Sequence, residues 1–101
     1  MIDDYKLYLD DTRTPYEYDW VIVRTYEEFT QTISEFGLPC FVSFDHDLGE
    51  DKSGYDCAKW LIDYCIKNKL EFPHFKIHSM NPVGALNIQK LIDSYRSSAL
   101  I

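Results

Sequence analysis

The sequence predicts a small α/β domain with a mostly parallel four-stranded sheet and flanking helices, residues 1–101 forming one unit. Three observations carry this expectation. Four short apolar runs read as strands, at Lys6–Leu9, Trp20–Val23, Cys40–Phe44 and Phe75–His78. Helix-period segments separate the later runs, so those strands need crossovers and run parallel, with right-handed connections. Three of the runs end in polar clusters: Asp10-Asp11, Asp45-His46-Asp47 and His78-Ser79. Carboxyl ends of parallel strands share one sheet edge, where ligands bind. The expected order is β, β, α, β, α, β, α, with the strands arranged 2-1-3-4.

Lys6 to Leu9 is a short strand bounded by two aspartates. Thr12 to Asp19 carries Pro15 and reads as a loop. Trp20-Val21-Ile22-Val23 is bulky and largely β-branched, hence a strand. Thr25-Tyr26-Glu27-Glu28 has the spacing of a capping box, Phe29, Ile33 and Phe36 recur at helical period, and Gly37 ends the helix. Leu38-Pro39 leads into the third strand. Leu48 to Gly54 is polar and glycine-bearing, a mobile loop over the strand ends. Tyr55 to Lys69 forms the second helix. Asn81-Pro82 starts the third, Asn as cap and Pro at the first helical position. Ala85, Ile88, Leu91, Ile92 and Tyr95 give it an apolar stripe, and Ser97 to Ile101 frays. Tyr8 and Trp20 read as core.

Composition narrows the function. Seventeen acidic residues against ten basic ones give a net charge of −7, which disfavours non-specific nucleic-acid or anionic-membrane binding. No apolar run approaches the roughly 20 residues of a membrane span. Cys40, Cys57 and Cys65 are odd in number and lack metal-ligand spacing, which suits reduced thiols in a cytoplasmic protein. Cys57 and Cys65 fall on the apolar side of a helix. The oligomeric state is not legible.

The strand-end residues suit a cation or phosphate site. Asp10 and Asp11 repel each other, and a divalent ion relieves that repulsion. With Asp45 they form the expected metal set, for Mg²⁺ or Mn²⁺. If the strand continues past Phe44, Asp45 and Asp47 face one way and His46 the other. His46 and His78 are the expected acid–base pair, with Asp45 and Asp47 beside them. Ser79 and Asn81 lie at a helix N-terminus, which favours an anion. Arg13 and Arg24 match phosphate oxygens. His74, which sits before a strand on the opposite edge, is incidental.

Asp10-Asp11, Asp45 and Ser79 occupy the places of the acidic pair, the phosphoacceptor and the hydroxyl residue of response-regulator receiver domains, so the chain resembles a truncated receiver/flavodoxin-like fold. The first receiver helix is replaced by a loop, and the fifth strand with its lysine is absent. L-Y-L-D-D-x-R-x-P, W-x-x-x-R-T, F-D-H-D-L-G and H-S-x-N-P-x-G-x-x-N-I together resemble the cyclic-phosphate processing receiver-like family, from Leu7 to about Tyr95. That resemblance implies a phosphoesterase-type activity on cyclic phosphates of RNA ends or nucleotides. The alternatives are a non-catalytic nucleotide- or protein-binding module and a phosphoacceptor receiver using Asp45.

Overall fold

The computed structural model describes residues 4–17 and 19–99. Its elements are β1 (Lys6–Leu9), β2 (Trp20–Val23), α1 (Tyr26–Phe36), β3 (Phe41–Phe44), α2 (Gly54–Asn68), β4 (His74–Ile77) and α3 (Pro82–Ala99). All strand pairs are parallel, in the order β2-β1-β3-β4. The expected α/β receiver-like architecture is therefore present, with the expected strand order.

Register divides the strand side chains between two faces. Leu7, Val21, Val42 and Phe75 form one row, and Leu9, Val23, Phe44 and Ile77 the next, on the same face. Phe29 and Ile33 of α1, Leu61 and Cys65 of α2, and Ile88 and Ile92 of α3 join this face in one apolar core. Cys57 and Cys65 are buried in it, and burial raises the Cys65 thiol to about 11.

The first two helices lie on that side for a topological reason, and α3 joins them through Ile88 and Ile92. The crossovers β2–α1–β3 and β3–α2–β4 advance in the same direction, and right-handed crossovers then stack on one face. The β1–β2 connection runs the other way, and a helix there would cover the second face. The described residues between 10 and 19 contain none. The second face thus carries Lys6, Trp20, Phe41 and His74 in one row and Tyr8, Ile22, Ser43 and Lys76 in the next, with no helix over it among the described residues. Trp20, expected in the core, is half-buried on this face, its ring edge-on to Tyr8 and Phe41.

Local signals set the helix ends. The Thr25 hydroxyl accepts from the Glu28 N–H at 3.0 Å, and Gly37 ends α1 at φ 93°. Ser53 precedes α2, and its N–H donates to Asp56 at 2.8 Å, a capping box inside the stretch expected to be a mobile loop. That stretch is anchored. Leu48 is buried, and Glu50 accepts from the Tyr26 N–H at 2.9 Å. The third helix continues to Ala99 where fraying was expected from Ser97, because Ile92, Tyr95 and the Arg96–Phe75 contact hold its last turns; Leu100 and Ile101 lie outside the described residues. Among the described residues, no helix is long and apolar enough to cross a membrane.

Candidate functional site

Parallel pairing puts the ends of β1, β3 and β4 at one edge, and the residues that follow them meet there. Asp10 is fully buried and is the hub. Its Oδ1 accepts from the backbone N–H groups of Thr12 and Arg13 at 2.9 and 2.7 Å. Its Oδ2 accepts from Arg13 Nε at 2.7 Å and faces His78 Nε2 at 2.9 Å. Burial alone pushes this carboxyl up; the Arg13 and Thr12 N–H groups, His78 and the Arg13 charge outweigh it and hold Asp10 below the usual range.

His78 is held at both ring nitrogens. Asp10, as an acceptor, takes the Nε2–H, so Nδ1 accepts from the Ser43 hydroxyl at 2.6 Å. The ring stacks on Tyr8 with centroids 4.5 Å apart. Burial lowers the imidazole below its ordinary 6.5, against the opposing pull of Asp10, and so favours the neutral ring. Ser43 and Tyr8 were missed as site residues in the sequence. The available signal was a lone serine in the apolar run Phe41-Val42-Ser43-Phe44.

Asp45 leaves the end of β3 and is only 5% exposed. Its Oδ1 accepts from the His46 N–H at 2.8 Å and lies 3.4 Å from Arg13 Nη2. Burial raises its pKa; the His46 N–H opposes this, and the neighbouring Asp10 charge adds to it. Past Phe44 the chain is no longer a strand, so the alternation expected for Asp45 and Asp47 does not apply. Asp45 turns to Arg13, whereas exposed Asp47 faces His46 Nδ1 at 2.8 Å and Asn81 Nδ2 at 3.3 Å. Asn81 also caps α3, its Oδ1 accepting from Gly84 N–H at 3.0 Å, and its own N–H donates to Ser79 Oγ at 3.0 Å.

One hydrogen-bonded rim results, running Ser79–Asn81–Asp47–His46–Asp45–Arg13–Asp10–His78–Ser43. The two histidines sit differently on it. His46 uses only Nδ1, and its ring packs on α3 at Gly84, where an added Cβ would stand 2.4 Å from Cγ. It also lines a cleft of about 790 Å³ with Tyr55, Asn87 and Lys90. Arg24 is brought to the edge but is occupied. Its Nη1 donates to the carbonyls of Asp10 and Arg13 at 3.0 and 2.6 Å, and its Nη2 to Thr14 at 3.0 Å. Arg24 thereby straps the β1–β2 loop under Arg13. His74 opens β4 at the far end and is exposed.

Among the described residues, the acid and imidazole groups that can converge on one ion are Asp10, Asp45 and His78. Asp11 is not in that group and lies near Gly49. The donor set fits a divalent ion poorly. Each Asp10 oxygen already has two partners, and the Arg13 cation bridges both carboxylates. An ion there would have to displace Arg13 and His78.

No curated protein matches the chain. A solved structure described as a fusion of yeast Spc42 trimeric coiled-coil amino acids 181–211 matches 99% of this chain and 80% of its own, at 19% identity and a TM-score of 0.58. That likeness shows the fold alone. The family model described as the cyclic-phosphate processing receiver domain matches residues 5–94, a span that holds every strand and the whole rim, and the chain belongs to that family.

Proposed function

We propose that the rim binds a cyclic phosphodiester and hydrolyses it. Water adds to phosphorus, one ring P–O bond breaks, and the leaving oxygen takes a proton. The observation that carries this reading is the continuity of the rim, which sets a guanidinium and a carboxylate-oriented imidazole on either side of Asp45.

Arg13 is 42% exposed, and its Nη1 has no protein partner among the described residues, so it can meet a phosphate oxygen and neutralise charge on phosphorus. Asp47 orients His46 through Nδ1 and leaves Nε2 open, the arrangement of a general base or acid. Asp45, with its raised pKa, is the second proton-transfer group. His78, expected from the sequence to be the acid–base partner of His46, has both nitrogens engaged and acts as a positioning residue for Asp10. Ser79 and the α3 N-terminus offer hydrogen bonds to phosphate oxygens. In this reading Arg13 supplies the positive charge that the Mg²⁺ or Mn²⁺ expectation assigned to an ion at Asp10, Asp11 and Asp45.

The test is a hydrolysis screen over 2′,3′- and 3′,5′-cyclic nucleotides and RNA ends carrying a cyclic phosphate, with and without Mg²⁺. Turnover should fall roughly 10²–10⁴-fold in His46→Ala, and be kept in His74→Ala. Tight nucleotide binding without turnover would replace this reading with a binding module. A phosphoacceptor role for Asp45 is disfavoured by its burial and its pairing with Arg13.

A further inference from the structure

An all-parallel sheet almost always has both faces covered, and this one has a face with no helix over it among the described residues, on which Tyr8 and Ser43 are nonetheless buried. Its composition is neither that of a solvated surface nor that of a core. Trp20 and Phe41 are half-buried there, and Ile22 is 36% exposed. The Nζ of Lys6 and of Lys76 stand 4.6 and 5.6 Å from the Trp20 ring centre. In a chain of net charge −7, this face pairs aromatic rings with lysines. The acids beside it are engaged, Asp19 in an exposed pair with Lys6 at 3.0 Å that an incoming phosphate must open, and Glu17 by the Trp20 indole N–H at 3.4 Å.

The face runs directly into the rim. Tyr8, in its upper row, is the ring on which His78 stacks. The lower row, with Lys6, Trp20 and Phe41, lies two residues further from the rim, about 7 Å at the strand rise. A phosphate held at Arg13 therefore has aromatic and cationic side chains leading away from it.

We propose that this bare sheet face is a docking surface for single-stranded RNA. Bases stack against Trp20 and Phe41, Lys6 and Lys76 meet backbone phosphates, and the chain's terminal cyclic phosphate reaches the rim. Aromatic platforms edged by cations are how sheets hold single strands without reading every base. This assigns the substrate class of the proposed activity and rests on that reading.

The experiment measures binding of 5′-labelled RNA hexamers by fluorescence anisotropy. One hexamer ends in a 2′,3′-cyclic phosphate and one in a 3′-hydroxyl; a 2′,3′-cyclic mononucleotide is measured by competition. The proteins are wild type and the Lys6→Glu, Lys76→Glu double variant, with melting curves confirming its fold. The cyclic-ended hexamer should bind at least roughly tenfold tighter than the mononucleotide. The double variant should lose that margin, flatten the salt dependence by about 0.7 per lost phosphate contact, and keep mononucleotide turnover. Equal binding of hexamer and mononucleotide overturns the docking surface and leaves the cyclic-phosphate reading standing. Lysine-dependent hexamer binding that ignores the 3′ end, with no turnover of any cyclic phosphate, upholds the surface and overturns the activity. Capture of an acidic amphipathic peptide on Lys6 and Lys76, with no RNA binding, overturns the surface in favour of a protein partner.

Discussion

Gly54→Ala should destabilise the protein out of proportion to one methyl group. Gly54 opens α2 and is buried against the β3 end. A Cβ there would lie 1.7 Å from the Asp45 carbonyl oxygen, 2.8 Å from its carbon and 3.0 Å from the His46 Cα. All three obstacles are backbone, so no side-chain rotation relieves them. The helix cannot simply back away, because the Gly54 N–H donates to the His46 carbonyl at 2.7 Å. Overpacking costs about 1–3 kcal/mol, and a backbone obstacle belongs at the upper end. A lost hydrogen bond adds about 1 kcal/mol. The lower unfolded-state entropy of Ala returns about 0.4–1 kcal/mol. The net loss is about 3–3.5 kcal/mol, which for a domain of this size lowers the melting temperature by about 12–28 °C. Thermal melts followed by circular dichroism, with urea titrations for ΔG, measure it. A melting temperature within about 2 °C of wild type would refute the packing of α2 on the Asp45–His46 backbone.

The remaining expectations concern the rim. Gly84→Ala meets a movable ring rather than backbone, so its stability should change by less than about 1 kcal/mol; the His46 ring must leave Asp47, and hydrolysis should fall as in His46→Ala, which kinetics on the folded variant checks. Asp45→Asn should raise the melting temperature at pH 7. Its folded pKa lies above the ordinary 3.8, so the stability it contributes is present below that value and lost as pH rises through the folded pKa; the gain in the Asn variant should vanish in melts below about pH 4. His78 has the opposite sign. Its folded pKa is depressed, so its contribution is present above 6.5 and is lost as pH falls through the folded value; an NMR titration should place the midpoint of the ring below 6.5, and a midpoint above it would contradict the Ser43 hydroxyl donating to Nδ1. Calorimetric titration with Mg²⁺ should show no binding at Asp10, Asp45 and His78 in wild type, and heat that disappears in Asp10→Asn would restore the metal assignment.

Local chemistry determined much of this protein. Four apolar runs, two capped helix starts and the crossover rule were enough for the parallel sheet and its order, because each is set within a few residues or by chain handedness. That Asp10, Asp45 and His78 meet at one edge also follows, since each stands directly after a strand. Tertiary structure alone decided what each of them touches. Asp10 and Asp11 are neighbours of one type, yet only Asp10 is buried under Arg13 and His78, because side chains leaving a strand end diverge. Arg13 and Arg24 look alike in sequence, but Arg24 is spent on loop carbonyls while Arg13 spans two carboxylates. The partition of the histidines depends on contacts 35 and 68 residues away, at Ser43 and Asp10 for His78, and on the α3 backbone at Gly84 for His46. The bare sheet face is likewise a property of topology, since the missing helix between β1 and β2 shows its consequence only once all three helices stack on the other side.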